Sequence, residues 1–454
     1  MKYAIVLAAG ESTRLKTKRN KVMHDILNKP MIGHLVDNLE KVQLDKLVVV
    51  TGYENESVEN YLGDRVEYAY QPEQLGTADA VSKVTQLEGK SGSTLLVFGD
   101  CALIQPETIE TLFKKHEGHD LTLVTTEVSH PGRFRRIVRD TQGKIDRIVG
   151  YNDITDREEH IREIALGAYC ISNELLFKYL PFIKDGTSNE ELNITKLVEI
   201  LKQNNHDIVA IRVSDYVEFL GANDRHQVVL SEKWLQKKVN TKHMDNGVTL
   251  ISPNDIYIGA DVVIEEDVTI YPNNHIYGKS HLATGTILYP NSWLDNAVIG
   301  EDTKIDSSRI TDSSVGSHCT VGPSAHLREH TSVGNNVRVG NFVEFKRVSI
   351  EEHSSIAHLV YLGNTSVGKN VNIGCGVVTV NYDGRNKHET HIGDGSFIGS
   401  NANLIAPITI GENVVIAAGS TVDRDIETGD MAIARSRTEI KVGYGHKYKN
   451  KEEK

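Results

Sequence analysis

Three places in the sequence carry residue types that could do chemistry. His358 lies in Ile356–Leu359, where a six-residue repeat is interrupted, and histidine has the reference pKa nearest neutrality, which suits proton transfer from an amine. Leu7–Gly10 ends a strand-like run in glycine, so its backbone could approach a phosphate. Asp100 follows another apolar run and could bind a divalent cation. The ordinary alternatives are a surface histidine, one of 19, and a structural aspartate.

The first half of the chain, to about residue 225, alternates short apolar runs with helical patterns. The runs are Tyr3–Ala8, Leu47–Val50, Leu95–Val97 and Leu121–Val124, and amphipathic stretches at Met31–Val42 and Thr77–Val84 lie between them. Continuously apolar strands separated by helices predict a Rossmann-like α/β domain with a parallel sheet covered on both faces. Binding sites in such sheets lie beyond the carboxyl ends of the strands.

The second half follows a period of six residues. Aliphatic residues recur at every sixth position in three blocks, which begin at Ile258, Val315 and Ile392. Hexapeptide repeats are typical of a parallel β-helix, in which three repeats make one coil and the aliphatic side chain points to the axis. An irregular β-sandwich is the alternative, and three in-phase blocks argue against it. The breaks at about 295–314 and 375–391 are predicted to be loops that leave the helix.

Composition bounds the class of protein. A chain of 454 residues is expected to form two or three domains. Lys and Arg total 50 against 62 Asp and Glu, and this net charge of −12 argues against a nucleic-acid-binding surface. No apolar run approaches the roughly 20 residues of a membrane span, and the first residues read as a strand rather than a secretory signal. Four scattered cysteines suggest neither disulfides nor zinc, so a cytoplasmic protein is expected.

The predicted organisation has four segments. An α/β domain covers 1–225, a polar linker helix covers 226–246 and a β-helix domain covers 247–440. The remaining residues, 441–454, contain Lys447, Lys449, Lys451 and Lys454 and are expected to be a solvated tail.

Ordered motifs run along nearly the whole chain. They are Leu7–Gly10 with Thr13-Arg14, Gln74–Ala78, Gly99-Asp100 and Gly221–Arg225 in the first half, and Gly340–Glu344, His358-Leu359, Tyr361–Gly363 and Asn381–Gly384 in the second. With these motifs the chain resembles the bifunctional N-acetylglucosamine-1-phosphate uridylyltransferase / glucosamine-1-phosphate acetyltransferases, the GlmU family. The Leu7–Gly10 motif alone marks only the wider sugar nucleotidyltransferase superfamily. The resemblance implies a nucleotidyltransferase domain, a β-helix whose left-handedness departs from the usual crossover rule, and a homotrimer.

The resemblance implies an acetyl-transfer site in the β-helix. His358 would accept the proton of the sugar amine, and Glu344 would orient it. The sugar phosphate would be held by Arg328, Lys346, Tyr361, Asn372 and Lys387. Acetyl-CoA would be held by Cys375, Ser400, Ala418 and Arg435. Asn381 and Tyr382 match sugar contacts of the family and are also assigned to the acetyl-CoA site. Cys375 replaces a small residue such as Ala; a catalytic thiol is the alternative, but no activating motif supports it.

The resemblance also implies a uridylyl-transfer site in the first domain. The matching nucleotide- and sugar-binding residues are Leu7, Ala8, Ala9, Gly10, Arg14, Lys21, Gln71, Gly76, Thr77, Phe98, Gly99, Asp100 and Asn223. Among them Arg14 and Lys21 would clamp the triphosphate of UTP, and Asp100 and Asn223 would bind Mg²⁺. The uracil would be recognised by Gln71, Gly76 and Thr77.

The sugar end of this first site departs from the family pattern. Arg135 stands in place of a glycine, Gly150 replaces an acidic sugar ligand and Ala165 replaces an amide ligand. Further departures are Glu11-Ser12, Ala102 and the stretch 190–196. The losses could weaken sugar recognition on the order of 10²–10⁴-fold. Alternatively, neighbours such as Arg136 or Asn152 substitute for the missing ligands and activity stays near normal.

The implied function is two-step synthesis of UDP-N-acetylglucosamine for cell-wall sugars. Glucosamine-1-phosphate would be N-acetylated with acetyl-CoA, and N-acetylglucosamine-1-phosphate would then receive a uridylyl group from UTP with Mg²⁺. One alternative keeps only the acetyltransferase, or pairs it with a different sugar phosphate. Another is a non-catalytic scaffold, like the translation initiation factor subunits that combine these two domain types.

Overall fold

The apolar runs of the first half form one sheet. A computed structural model describes residues 1–11, 14–183 and 192–446 and divides into two compact units, Met1–Lys238 and Val239–Lys454. In the described part of the first unit the strands are β1 (Lys2–Leu7), β2 (Asp25–Ile26), β3 (Lys29–Pro30), β4 (Lys46–Thr51), β5 (Glu67–Tyr70), β6 (Ser93–Phe98), β7 (Leu121–Glu127), β8 (Arg136–Arg139), β9 (Ile145–Val149), β10 (Glu163–Ser172) and β11 (Ile208–Arg212). The helices are α1 (Met31–Glu40), α2 (Asn55–Leu62), α3 (Thr77–Ser82), α4 (Pro106–His116), α5 (Asn173–Tyr179) and α6 (Lys196–Gln203). A further helix, α7 (Arg225–Asp245), begins in the first unit, and its residues from Val239 onward belong to the second.

Some predictions fall outside the described residues. These are Thr13 of the opening motif, the Ser12 departure, Glu190 and Glu191, and the four lysines of the tail. The predicted domain limits stay predictions, although the helix α7 covers nearly the same stretch as the predicted linker.

The main sheet is covered on both faces because its strands alternate between two cores. Its order is β11-β7-β10-β6-β1-β4-β5, and β1 pairs in parallel with β4 and β6. Ile5 and Leu7 of β1 enter one apolar cluster, and Ala4 and Val6 enter the other. This explains why the strand is apolar from Tyr3 to Leu7. The predicted helices at Met31–Val42 and Thr77–Val84 are confirmed by α1 and α3.

The sheet is mixed, so the prediction of a parallel sheet is wrong for one strand. The strand β10 lies antiparallel between β6 and β7. The preceding strands β8 and β9 pair as an antiparallel ribbon, which returns the chain in the opposite direction. An apolar run carries no information about strand direction, and that is why the sequence pattern missed it.

The second unit is a parallel β-helix. In its described part the strands are β12 (Thr249–Leu250), β13 (Tyr257–Ile258), β14 (Val263–Ile264), β15 (Thr269–Ile270), β16 (His275–Tyr277), β17 (His281–Leu282), β18 (Ile287–Leu288), β19 (Trp293–Ile299), β20 (Lys304–Ile305), β21 (Arg309–Val315), β22 (Thr320–Val321), β23 (His326–Arg328), β24 (Ser332–Val333), β25 (Arg338–Val339), β26 (Glu344–Ile350), β27 (Ser355–Ile356), β28 (Tyr361–Val367), β29 (Asn372–Ile373), β30 (Val378–Val380), β31 (Thr390–Ile392), β32 (Phe397–Ile398), β33 (Asn403–Ile405), β34 (Ile408–Ile410), β35 (Val415–Ile416), β36 (Thr421–Val422) and β37 (Met431–Ala432). Each strand pairs in parallel with one in the next coil, as β12 does with β15 and β13 with β16.

The aliphatic residues of the hexapeptide pattern form the core of this unit. All those in the three blocks are buried, from Ile258 to Val422, and they belong to one continuous apolar cluster. The prediction that they point to the axis is therefore confirmed. Coils are spaced by the inter-strand distance of about 4.8 Å, so each backbone group is hydrogen bonded to the coil above or below.

The first break in the pattern is not a loop, so that prediction is wrong. The seven-residue strands β19, β21, β26 and β28 each continue around a corner and pair on two faces. In each strand one residue with a positive φ angle makes the bend. This angle is 49° at Asn296 in β19 and 45° at Asp312 in β21. A one-residue corner shortens the aliphatic spacing from six residues to five, and the six-residue phase is lost although the coil continues.

The second break does contain a loop. Residues 381–389 leave the coil between β30 and β31. Asp383 orders this loop: Oδ1 accepts from the amides of Arg385 and Asn386 at 2.7 Å, and Oδ2 lies 2.8 Å from Nε2 of His388. These contacts lower the pKa of Asp383 to about 2.

The first coil is covered by the end of α7. Val239 packs against the aliphatic column. The amide Nδ2 of Asn240 donates to the carbonyl oxygens of Pro253 and Ile256, at 2.7 and 2.9 Å. Burial lowers the pKa of the neighbouring His243 to about 4, so its side chain is neutral in this cap at pH 7.

A pair of variants at Asp312 tests the one-residue corner. Asp312→Val should lower the free energy of unfolding by about 1–2 kcal/mol more than Asp312→Gly, because only valine is strained at positive φ. Both variants lose the same exposed hydrogen bond from Asn296, so their difference isolates backbone strain. Urea unfolding followed by tryptophan fluorescence, to which Trp293 of β19 contributes, measures it. Equal stability of the two variants would contradict this account.

Candidate active sites

The first site lies where parallel strands of the sheet end. The chain leaves β1 through Ala8-Ala9-Gly10 and leaves β6 through Gly99-Asp100. The amide of Gly99 donates to the oxygen of Leu7 at 2.8 Å, and the amide of Ala8 donates to Val50 at 2.9 Å. The first bond holds the two loops beside each other at the carboxyl edge of the sheet, and the second joins the loop after β1 to β4.

A cavity of about 460 Å³ opens at this edge. Its lining contains twelve of the predicted nucleotide- and sugar-binding residues: Leu7, Ala8, Ala9, Gly10, Arg14, Lys21, Gln71, Gly76, Thr77, Phe98, Asp100 and Asn223. The substituted residues Arg135 and Ala165 line it as well, whereas Gly99 packs behind it against β1 and Gly150 lies beside Arg135. The structure therefore brings the predicted set together but does not test each role.

The side chains of Asp100 and Asn223 both contact the ammonium group of Lys21. The ammonium of Lys21 contacts Oδ2 of Asp100 and donates to Oδ1 of Asn223 at 2.7 Å, and Arg14 donates to the same Asn223 oxygen at 2.5 Å. Both oxygens are thus within reach of a single cationic centre, which fits a divalent ion. Among the described residues no group of three or more His, Cys, Asp or Glu could hold a metal, so phosphate and water would supply the other ligands.

Glycine at 221 permits this arrangement. A Cβ added there would lie 2.6 Å from Oδ2 of Asp100. The position belongs to the matched motif Gly221–Arg225, but sequence reasoning assigned a role only to Asn223 within it. The sequence feature that could have indicated its role is its position two residues before Asn223, a predicted metal ligand.

Gln71 is held in a fixed orientation. Its amide Nε2 donates to the oxygen of Gly76 at 3.1 Å and to Oδ2 of Asp79 at 2.8 Å, and the residue is buried. Both amide protons have partners, which leaves the carbonyl oxygen to accept a hydrogen bond from a ligand. Thr77 is fixed too, because its hydroxyl accepts from the amide of Ile194 at 2.9 Å.

The cavity is also lined by residues to which the sequence analysis assigned no role, Arg133, Asn193 and Thr195. Arg133 lies two residues before the departing Arg135, and the other two lie in the departing stretch 190–196, which was the available signal. The acetyl-transfer site is a separate place in the second unit.

Several predicted residues of that second site follow one corner of the β-helix. The amide of Gly376 donates to the oxygen of His358, the amide of Asn401 donates to Cys375, and the amide of Gly419 donates to Ser400, at 2.7–3.1 Å. Ala418 lies in the turn after β35, and the side chain of Arg435 comes within 3.7 Å of the Cβ position of Gly419. This corner is a strip of exposed, mostly small residues, open enough for a narrow extended ligand.

The predicted phosphate-binding cations gather on the next face. Arg328 and Lys346 are in register on neighbouring coils. Glu329 pairs with Arg328 at 2.8 Å, with Lys346 at 3.1 Å and with Arg347 at 3.3 Å. Lys387 has no ion pair to a carboxylate within the described residues, and the adjacent Lys346 ammonium lowers the pKa of Lys387.

The charge of this cluster favours an anion. Its four cations outnumber its carboxylates, Glu329 and Glu344, by two. A phosphate group would relieve the repulsion between Lys346 and Lys387. Sequence reasoning missed Glu329 and Arg347, because surface charges at corners look like solvated residues.

His358 is oriented by Asn341. Its Nδ1 lies 2.8 Å from Oδ1 of Asn341, which requires a proton on Nδ1 and leaves Nε2 as the basic nitrogen. The prediction that Glu344 orients His358 is wrong for the contacts within this chain. Glu344 instead accepts two hydrogen bonds from Arg328, which lies in the coil before it.

The remaining predicted residues surround Gly363. A Cβ at that position would lie 2.6 Å from Nδ2 of Asn381 and 2.7 Å from the hydroxyl of Tyr361, so glycine allows both side chains to approach. Tyr382 begins the loop 381–389 and donates to the oxygen of Gly384 at 2.8 Å. Asn372 is exposed on β29, and no side-chain hydrogen bond joins it to these residues in the described part of the chain.

Comparisons with known proteins agree with the two sites. A family described as MobA-like NTP transferase domain matches residues 4–161, and the bacterial transferase hexapeptide (six repeats) matches 389–424. A "Bifunctional protein GlmU" of Geobacillus sp. (strain WCH70) is 42% identical, over 98% of this chain and 97% of that protein. Proteins with the same description from Listeria monocytogenes serotype 4a (strain HCC23) and Shouchella clausii (strain KSM-K16) are each 40% identical, over 98% of both chains.

The chain belongs to the GlmU family. It is an enzyme of UDP-N-acetylglucosamine synthesis, with a glucosamine-1-phosphate acetyltransferase and an N-acetylglucosamine-1-phosphate uridylyltransferase. The fold class is that of the family, a nucleotidyltransferase domain followed by a left-handed β-helix of hexapeptide repeats. Family membership implies metal-dependent nucleotidyl transfer, use of acetyl-CoA and sugar-phosphate substrates, and hexapeptide repeats indicate oligomerisation. Helices long and apolar enough to span a bilayer are absent from the described residues.

Gly221→Ala should impair uridylyl transfer selectively. The added methyl group would displace the carboxylate of Asp100, and a small displacement of a ligand-binding group is expected to lower kcat/KM about tenfold or more. Pyrophosphate release at several metal concentrations measures this effect. Acetylation by the same sample is an internal control. Gly445→Ala, where a Cβ meets nothing within 4 Å, is the matched control, and equal losses in both variants would refute the assignment.

Variants at Asn341 test the orientation of His358. Asn341→Ala should lower kcat for acetylation about tenfold or more, because the basic nitrogen is no longer fixed. Asn341→Asp keeps an acceptor oxygen but stabilises the imidazolium, so the acid limb of the pH–rate profile should move to higher pH. A stopped assay of acetylation across the pH range measures both. Wild-type kcat in Asn341→Ala, or an unmoved acid limb in Asn341→Asp, would count against this role.

Proposed function

We propose that the two sites catalyse consecutive steps, acetylation at the β-helix and then uridylyl transfer at the α/β domain. The proposal is carried by one observation: each unit gathers the predicted residues of its own reaction, an oriented imidazole with a surplus of cations in one, and paired oxygen ligands with cations in the other. The product of the first step, N-acetylglucosamine-1-phosphate, is the acceptor of the second.

His358 is the proposed base for acetyl transfer. Its Nε2 takes a proton from the amine of glucosamine-1-phosphate as the nitrogen attacks the thioester carbon of acetyl-CoA. A C–N bond forms, the C–S bond breaks and CoA leaves as the thiol. His358 and the strip formed by Cys375, Ser400 and Ala418 follow the same corner, which supports binding of the pantetheine arm there.

The sugar phosphate is proposed to bind at the cation cluster. Arg328 can donate two parallel hydrogen bonds to a phosphate, and the neighbouring Lys346 and Lys387 add positive charge. Tyr361 and Asn381 meet above Gly363 and are suited to the sugar ring, and Asn372, Tyr382 and Arg435 complete the proposed set.

Uridylyl transfer is proposed to use Mg²⁺ held by Asp100 and Asn223. Bound there, the ion would neutralise charge on the triphosphate. Arg14 and Lys21 bind the phosphates of UTP, and the carbonyl oxygen of Gln71 accepts from the uracil ring. An oxygen of the sugar 1-phosphate attacks the α-phosphorus, and pyrophosphate leaves.

A homotrimer is proposed as the assembly. Exposed apolar side chains on the β-helix support it, among them Phe342 and Leu359 on neighbouring coils, because exposed apolar surface is often covered by a partner. A cytoplasmic location stays a prediction.

Two variants should separate the activities. His358→Gln should lower acetylation by about 10²–10⁴-fold and leave uridylyl transfer unchanged, because it removes only the base. Asp100→Asn should do the reverse. CoA release from acetyl-CoA and glucosamine-1-phosphate is measured beside pyrophosphate release from UTP and N-acetylglucosamine-1-phosphate. Loss of both activities in either variant, or of neither, would overturn the assignment.

A further inference from the structure

A buried carboxylate holds the side chain that is proposed to recognise the nucleobase. Asp79 lies on α3, and its Oδ2 accepts a hydrogen bond from Nε2 of Gln71 at 2.8 Å. Both residues are buried, with 8% of Asp79 and 3% of Gln71 exposed. Gln71 lines the first cavity, whereas Asp79 is not among the described residues that line it. Asp79 can therefore act on a bound nucleotide only through the residues that it contacts.

The helix α3 fixes the position of this carboxylate. Ala78 and Ala80, on either side of Asp79, are buried in one of the two apolar cores of the sheet. The other carboxylate oxygen, Oδ1, pairs with the ammonium of Lys83 at 2.8 Å. This ion pair balances the negative charge of Asp79 and leaves Oδ2 to Gln71.

The partners of Gln71 determine which way its amide group faces. Nε2 donates to Asp79 at 2.8 Å and to the carbonyl oxygen of Gly76 at 3.1 Å, and both partners can only accept. The reverse orientation would place Oε1 against two acceptors, so it is unfavourable. Within the described part of the chain no residue donates to Oε1 of Gln71. The amide therefore offers its carbonyl oxygen, and not its NH₂ group, to a ligand in the cavity.

The orientation of this amide distinguishes uracil from cytosine. Atom N3 of uracil carries a proton that the carbonyl oxygen of Gln71 can accept, whereas N3 of cytosine is itself an acceptor. A fixed amide oxygen therefore binds the first base and repels the second. An amide that is free to rotate can instead donate from its NH₂ group to N3 of cytosine. The contacts that prevent this rotation thus contribute to the choice of base.

We propose that Asp79 is a positioning residue that fixes Gln71 and thereby makes the site accept UTP and reject CTP. The inference rests on the proposed uridylyl transfer, and on binding of the uracil ring beside Gln71. Asp79 takes no part in the bond changes, in which the sugar 1-phosphate attacks the α-phosphorus and pyrophosphate leaves. Its loss should therefore alter the preference between nucleotides more than the rate of release with CTP.

Matched nucleotides isolate this role. Pyrophosphate release is measured with N-acetylglucosamine-1-phosphate, Mg²⁺ and UTP, CTP or 5-methyl-UTP. The wild-type enzyme should prefer UTP to CTP about a hundredfold or more in kcat/KM, because cytosine lacks the N3 proton. Asp79→Leu should lower this preference about tenfold or more, because the amide of Gln71 can then rotate. The ratio of UTP to 5-methyl-UTP should change less than about twofold, since both bases carry the N3 proton.

Two further variants assign the effect to the contact with Gln71. Lys83→Gln removes the ion pair on Oδ1 of the same carboxylate but keeps the bond from Gln71. It is the matched control and should change the UTP-to-CTP ratio less than about twofold. In a Gln71→Leu background, Asp79→Leu should have no further effect on the ratio, because the positioned group is gone. Each ratio comes from one sample, so it does not depend on the fraction of folded enzyme.

A second substitution at the same position covers loss of folding in Asp79→Leu. Asp79→Asn is nearly isosteric, and its amide can either accept or donate, so both orientations of Gln71 gain a partner. Its UTP-to-CTP ratio should fall about threefold or more. Acetylation measured on the same samples reports on the second unit and should stay at the wild-type level.

The outcomes separate this inference from the proposed function. A wild-type UTP-to-CTP ratio near one, an unchanged ratio in the active Asp79 variants, or an equal fall in Lys83→Gln overturns the positioning role alone. Loss of release with every nucleotide in both Asp79 variants overturns it too, because a base-selecting role leaves the chemistry intact. No release by the wild-type enzyme with any nucleotide overturns the proposed uridylyl transfer as well.

Discussion

Coil-on-coil hydrogen bonding is the constraint on which the acetyl-transfer site depends. Parallel register places Arg328 next to Lys346, and Glu344 next to Tyr361, although each pair is separated by a full coil of sequence. The backbone hydrogen bonds fix how each coil is aligned with the next. The position of a side chain in its repeat therefore determines which side chains of the adjacent coils lie beside it. The cation cluster is therefore a property of register rather than of local sequence.

The two sites solve different electrostatic problems. In the β-helix, Glu329 alone contacts three cations, so the cluster can exist without ligand and still retain a positive surplus for phosphate. In the α/β domain, Lys21 contacts both oxygens that are proposed to bind Mg²⁺, so an ion that binds there would have to replace an existing contact.

The sequence predicted the repeats, the aliphatic column and most of the strands because these follow directly from periodicity and apolar runs. It also predicted which residues would meet at the first cavity, because the matched motifs follow strands whose carboxyl ends lie at the same edge of the sheet. It could not predict that β10 runs antiparallel, because side-chain pattern is the same in both directions. The one-residue corners at Asn296 and Asp312 were missed because a five-residue step looks like lost phase.

Partners of catalytic side chains were the hardest to predict. Asn341 lies one full coil before His358, as Val339 lies one coil before Ile356, whereas Glu344 lies less than a coil before it. The length of a coil changes at each one-residue corner, so sequence spacing alone did not show which residue stacks on His358. The departing residue Arg135 was visible in the sequence, but its place in the lining of the first cavity is a three-dimensional property.

The cap formed by Val239 and Asn240 has a consequence for cutting the chain. A β-helix has two open ends, and an uncovered coil presents unpaired backbone groups to which other chains can add. Asn240 satisfies two carbonyl groups near the first coil, and Val239 covers the end of its aliphatic column. An isolated acetyltransferase fragment should therefore begin before residue 239, within α7. A fragment that starts at 247 would lack this cap, and the unpaired backbone groups of its first coil could pair with other chains.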